Sequence, residues 1–355
     1  MTVNRRQFLS TAGVIASASA VEKAVTAQTA PDASLIVDCQ SHVFVPRVIE
    51  IMRQRISDPL VYEKDGAQWI KMGDWHRKLR PNHTNVAEKL ARMDACGIAT
   101  TMLSTNDPGP EWFGQQGPEV ARVIHDHLAE IAKAHPGRFQ GLIVLPFQDQ
   151  QAAEQELKRC VEKLGMRGIL LYSNLAGRWP DEEPYRWVFQ RAVEMDLPIL
   201  LHPAMPMTTD AVKGYNLTST LGNMFENTIV LSRIVMSGIL DQFPDLKLVS
   251  PHLGGTLPYI AGRLDHQVQV LKRSNQELKK RPSDYLREIY MDIVSPLPEA
   301  MRFALDFSSP DRLLFSSDHP WVDPQLILDD FRSLGLHADV QAKILGRNAK
   351  QLFHL

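Results

Sequence analysis

Leu35-Ile36-Val37-Asp38-Cys39-Gln40-Ser41-His42 opens on an apolar, β-branched run and ends with polar groups at every second position. Period-two alternation puts Asp38, Gln40 and His42 on one face of a strand. The segment therefore reads as a buried strand whose carboxyl end delivers ligand-type side chains. The same plan recurs downstream in Leu201-His202-Pro203, Pro251-His252-Leu253-Gly254-Gly255 and Ser317-Asp318-His319-Pro320, each after a short apolar run. A lone His after such a run is most often a hydrogen-bonded core residue, but three strand-end histidines together with Asp318 favour one shared site. Histidine nitrogens and a carboxylate brought from separate strands suit Zn²⁺ or a similar divalent ion with one position left open.

Outward from these four ends, β-branched runs alternate with longer helical stretches. The strand candidates are Leu35-Cys39, Ile98-Ser104, Phe139-Leu145, Arg167-Tyr172, Pro198-His202, Leu246-Pro251, Glu288-Ile293 and Leu313-Ser317. Helices are predicted over Val86-Cys96, Glu119-Ala134, Ala152-Leu164, Tyr185-Met195, Met224-Phe243 and Leu257-Leu278. Gly97, Gly137, Gly165 and Pro244 punctuate the joins. This pattern predicts an α/β fold, a (β/α)₈ TIM barrel occupying residues 31–355. Residues 47–81 break the alternation and read as an insertion after strand one, a small lid over the end of the barrel where active sites form. His319 is ambiguous between the site and the surface, and Asp292 between a further carboxylate and a structural partner. His76, His83, His125, His127, His135, His266, His337 and His354 fall in loops or helices and read as structural.

At 355 residues, 44% hydrophobic and 23% charged, the chain has the composition of a globular protein with a sizeable core. Its 39 basic and 41 acidic residues are interspersed, which argues against a nucleic-acid partner and for a small-molecule one. Cys39, Cys96 and Cys160 are too few and too scattered for a disulfide framework or a thiolate metal cluster, and read as buried core residues. At the amino end, Asn4-Arg5-Arg6-Gln7-Phe8-Leu9 precedes a mild apolar stretch from Val14 to Ala20 that is too short to span a bilayer. Residues 1–30 therefore read as a twin-arginine signal peptide, cleaved after Ala27 or Ala30. It implies passage through the twin-arginine export machinery to the periplasm or beyond, with no stable membrane insertion.

From Leu35 to Leu352 the chain resembles the amidohydrolase superfamily, in its amidohydrolase-related branch that includes the aminocarboxymuconate-semialdehyde and resorcylate decarboxylases. The likeness runs through Lys158-Arg159-Cys160-Val161-Glu162-Lys163-Leu164-Gly165, Ile234-Val235-Met236-Ser237-Gly238 and His252-Leu253-Gly254-Gly255 to Gly262-Arg263. It implies that His42, His202 and Asp318 are metal ligands and that His252 and Asp318 handle protons. It also implies that Arg263, with Arg77 or Arg80 from the insertion, binds a substrate carboxylate, Arg263 across a homodimer interface. Two departures stand out. Gln40 occupies the place of the first His of a His-x-His motif, and its amide oxygen would bind Zn²⁺ more weakly and favour a harder ion such as Mn²⁺. Ala204-Met205 stands where Trp-Asp is expected, which removes an aromatic wall.

The resemblance implies a metal-dependent, non-oxidative decarboxylase of an aromatic or unsaturated carboxylic acid. A hydrolase of a lactone, ester or amide would use the same ligands, because the ion also activates bound water. A binding protein that lost catalysis with the first His is the third possibility.

Overall fold

The computed structural model describes residues 35–355, so the signal-peptide reading of residues 1–30 lies outside the described residues. Eleven strands are β1 (Ile36–His42), β2 (Leu60–Lys64), β3 (Ala67–Met72), β4 (Trp75–Lys78), β5 (Ile98–Ser104), β6 (Phe139–Gly141), β7 (Ile169–Tyr172), β8 (Ile199–His202), β9 (Leu248–Ser250), β10 (Tyr290–Asp292) and β11 (Leu313–Leu314). All eight predicted strands are present, most of them trimmed by a few residues. They pair in parallel in two sheets, of order β1-β5-β6 and β11-β10-β9-β8-β7. Backbone hydrogen bonds join the two sheets at both seams. Ile143 N donates to Gly168 O at 2.9 Å and Leu170 N to Ile143 O at 2.8 Å. At the other seam Cys39 N donates to Phe315 O (3.0 Å), Asp318 N to Gln40 O (2.9 Å) and His42 N to His319 O (2.8 Å).

Burial explains the strand composition. β1, β7, β8 and β9 are buried at every residue, as expected for parallel strands covered on both faces. Helices follow the strands and stop where the local chemistry dictates. The one after the insertion, Val86–Cys96, is capped by Asn85, whose side chain accepts from Glu88 N at 3.1 Å, and ends at Gly97 with φ 69°. The predicted helix Met224-Phe243 is two pieces, Asn223–Met236 and Ile239–Gln242, because Gly238 takes φ 77° and breaks it. Likewise Leu257-Leu278 is regular only over Leu257–Asp265, continues as a wider turn to Val270, and is irregular beyond, with Lys272 at φ 52°.

Residues 47–81 hold secondary structure of their own. Pro46–Arg53 is a helix with Val48, Ile49, Ile51 and Met52 buried, and β2, β3 and β4 form an antiparallel meander. The meander's buried Ile70 and Met72 belong to the same core as the parallel strands. No helix among the described residues is long and apolar enough to cross a membrane.

Candidate active site

The carboxyl ends of β1 and β8 and the turn after β11 bring three ligand-type atoms together. His42 Nε2 lies 3.1 Å from Asp318 Oδ1 and 3.2 Å from His202 Nε2, and all three ligand atoms fall within 4.8 Å of one another. The other ring nitrogens are held as metal-site histidines need. His202 Nδ1 is 2.7 Å from Pro203 O. A carbonyl can only accept, so Nδ1 carries the proton and Nε2 presents a lone pair. His42 Nδ1 is 2.9 Å from Ser104 Oγ. Burial, then the nearby His42 and His252, push His202 well below the usual imidazole range, which keeps it neutral. Two oriented imidazoles and a carboxylate converging in this way fit a divalent cation.

The surroundings hold this geometry. Asp38, also on β1, accepts from Ser317 N (2.9 Å) and Ser317 Oγ (2.6 Å), fastening β1 to the turn that carries Asp318; the register shift of β1 between Asp38 and Ser41 interrupts the period-two alternation expected from sequence. Lys89 Nζ, buried, donates to Ser41 Oγ and to His319 Nδ1, both at 2.7 Å. His319 is thus a neighbour of the site that braces it, its ring brought down to about 3 by burial and by the Lys89 ammonium. Gln40 Nε2 faces Asp318 Oδ1 at 3.5 Å, so its amide stands beside a ligand as a donor.

His252 lies on the cavity wall. Its backbone N–H donates to Asp292 Oδ1 at 2.7 Å and Val294 N to the same oxygen at 3.1 Å, so Asp292 anchors the His252 turn. Burial pushes the Asp292 carboxyl up to about 6, partly offset by His252. Both His252 (φ 52°) and Asp318 (φ 56°) occupy the left-handed region, which costs a non-glycine residue roughly 1–2 kcal/mol. Such conformations cluster at functional sites. Gly255, three residues after His252, has a steric cause: a Cβ there would sit 2.6 Å from Thr228 Oγ1 and 2.7 Å from Met224 O.

Beside the triad opens a cavity of about 740 Å³ lined by His202, His252 and Asp318 together with Trp69, Trp75, Trp321 and Arg77. Thr218, Ser219, Thr220 and Asn223 line it as well. Ala204 and Met205 do not line the cavity, whose aromatic lining comes from Trp69 and Trp75 of the meander and from Trp321. Arg77 lies over the Trp75 ring at 4.3 Å and pairs with Asp107, Nη1 to Oδ1 at 2.7 Å. Its Nη1 also donates to Asn106 Oδ1, and its Nη2 to Asp107 O. Arg77 thus reaches the cavity largely committed to protein partners. Arg80 and Arg263 do not join it. Arg80 borders a separate surface groove, and Arg263 is exposed on the helix Leu257–Asp265, outside the cavity. Sequence reading missed Asn106, Asp107, Trp75, Trp321 and Asn223. The polar run Ser104-Thr105-Asn106-Asp107 closes β5 as His202-Pro203 closes β8, so the same strand-end rule would have found two of them.

The chain is similar to known proteins over most of its length. The model of the amidohydrolase family matches residues 37–355. The gamma-resorcylate decarboxylase of Polaromonas sp. is 30% identical over 314 residues, 82% of this chain and 94% of the relative. Among solved structures, 2,6-dihydroxybenzoate decarboxylase complexed with 2,6-dihydroxybenzoate superposes with a TM-score of 0.77 at 28% identity, over 91% of this chain and all of that one. Dihydroxybenzoic acid decarboxylase of Polaromonas sp. with bound manganese and the inhibitor 2-nitroresorcinol gives a TM-score of 0.76 at 27% identity, over 91% of this chain and 97% of the other. The chain belongs to the amidohydrolase family.

Proposed function

We propose that this protein is a metal-dependent, non-oxidative decarboxylase of an aromatic carboxylic acid. The observation that carries the reading is the convergence of His42 Nε2, His202 Nε2 and Asp318 Oδ1 beside a cavity lined by Trp75 and Trp321. Similarity to aromatic-acid decarboxylases supports it. A tryptophan-lined slot suits a planar ring, and it shields the reacting carbon from water.

His42, His202 and Asp318 would hold the ion, with Gln40 adjoining Asp318. Once bound, a divalent ion serves as a Lewis acid that anchors and polarises the oxygens of the acid. His252 supplies the proton. The ring carbon that bears the carboxylate accepts that proton, the bond to the carboxyl carbon breaks, and carbon dioxide leaves with no change of oxidation state that needs a second reactant. Asp292 keeps the His252 turn in place through two backbone N–H bonds. The histidine-rich donor set suits zinc. The manganese in the Polaromonas relative turns the preference toward manganese.

The finer architecture follows the same reading. The bonds at both sheet seams support closure of the eight parallel strands into a (β/α)₈ barrel, with residues 47–81 as an inserted lid over its carboxyl end. Arg263, exposed and away from its own chain's cavity, fits a homodimer in which it serves the neighbouring site. Residues 1–30 act as a twin-arginine signal that sends the enzyme to the periplasm. The function is tested by carbon dioxide release from hydroxylated benzoic acids, measured beside release of acid from lactones and esters.

A further inference from the structure

Asn106 follows β5, lines the cavity and is only 4% exposed. Its Oδ1 receives the Arg77 Nη1 donor. A guanidinium has no acceptor, so this contact fixes the amide, with oxygen toward Arg77 and nitrogen turned away from it. Nδ2 lies 3.4 Å from His202 Nε2. That atom is the lone-pair nitrogen of the triad, since Nδ1 of the same ring donates to Pro203 O. Asn106 thus aims an N–H into the ligand cluster, by a route that ends in Arg77.

A lone pair committed to a cation cannot also accept this N–H. A buried donor deprived of its acceptor is costly, and native sites supply another. Within this cavity the fitting acceptor is an anionic oxygen of the bound acid, which makes the stronger, charge-assisted bond. Arg77 cannot easily take that role. Its Nη1 serves Asn106 and Asp107, its Nη2 serves Asp107 O and lies 3.8 Å from Met72 Sδ, and its face is covered by Trp75.

We propose that Asn106 is a substrate-binding residue whose Nδ2–H donates to an anionic oxygen of the acid held beside His42, His202 and Asp318, and that Arg77 is a positioning residue acting through Asn106. The aromatic carboxylate as ligand rests on the decarboxylase reading. The orientation of the amide does not.

The test uses the full metal-loaded protein. 2-Nitroresorcinol and ortho-hydroxylated benzoates are titrated by calorimetry into wild type, Asn106→Asp, Asn106→Ala, Arg77→Lys and the Arg77→Lys/Asn106→Ala double variant, with metal content measured on each. Asn106→Asp keeps an oxygen toward Arg77 and replaces the donor by a carboxylate oxygen. Both Asn106 variants are expected to bind the panel roughly 10- to 100-fold more weakly at unchanged metal content, the aspartate the more so. The double variant should bind no more weakly than Asn106→Ala alone, because Arg77 acts through the amide. Wild-type affinity in a folded, metal-replete Asn106 variant overturns the proposal, as does a wild type that binds none of the panel. Additive losses in the double variant overturn the role given to Arg77. Carbon dioxide release by wild type is assayed separately. If it is absent while the Asn106 effect persists, the decarboxylase reading fails and the Asn106 assignment stands.

Discussion

His42 Nε2 and His202 Nε2 face each other at 3.2 Å with their rings 83° apart, close to perpendicular. The partners behind them, Ser104 Oγ and Pro203 O, keep both rings aimed at the same point. Ser104→Ala removes the support of one ring without touching a ligand. Metal affinity is expected to fall by about 10- to 100-fold, the usual effect of such outer partners, while His202→Ala abolishes stoichiometric binding. Competition with a chromogenic chelator measures both, and unchanged affinity in Ser104→Ala would show that His42 needs no such support.

Gln40 contacts Asp318 where a nitrogen ligand would be stronger. Gln40→His should tighten zinc binding by about an order of magnitude, roughly 1.4 kcal/mol, and shift the preference from manganese toward zinc. Elemental analysis after dialysis against equal concentrations of both ions reports it. Identical occupancy in variant and wild type would place Gln40 outside the coordination shell.

His252 sits on the cavity wall, tied by its backbone to Asp292. His252→Asn should lower kcat by roughly 10²- to 10⁴-fold, the range for loss of a proton-transfer group. Metal content should not change. A kcat within a few-fold of wild type would give the proton to another group.

His125, Glu156 and Cys160 also cluster, yet they have no lone pair to offer a metal on the histidine. Val144 N donates to His125 Nε2 at 3.0 Å, and His125 Nδ1 then donates to Glu156 Oε1 at 2.7 Å. Burial would raise Glu156, but hydrogen bonds from His125 and Arg159 outweigh it and bring it down to about 2. Burial lowers His125 as well. Both groups bind protons more readily unfolded, so their contribution is present at neutral pH and is lost as pH falls, from about 6.5 for His125 and from about 4.5 to 2 for Glu156. Glu156→Gln should lower Tm by a few degrees at pH 7 and flatten the fall of Tm between about pH 5 and 2. Parallel acid branches in variant and wild type would remove Glu156 from this role.

Strand ends were legible in the sequence because an apolar run that stops at His or Asp carries both the fold and a candidate ligand. His42, His202 and Asp318, read this way, are brought together by the fold, and His252 lines the neighbouring cavity. Asn106 and Asp107 escaped because neutral amides and loop carboxylates are too common to stand out before Arg77 is seen to converge on them. The meander was unreadable for another reason: Ile70 and Met72 are buried against a core assembled elsewhere in the chain, so the alternation of β3 has no local explanation. Arg77 and Arg80 stood as alternatives in the sequence, and only folding separates the one that borders the cavity from the one that does not.

Carbon dioxide release coupled to acid consumption is the most direct test of a metal-dependent decarboxylase. Wild type loaded with manganese is incubated with a panel of hydroxylated benzoic acids, then with the same panel after chelation and again after the ion is restored. One carbon dioxide per acid consumed, lost on chelation and recovered with the ion, is the predicted result. Acid consumed without carbon dioxide, or turnover indifferent to chelation, would contradict it.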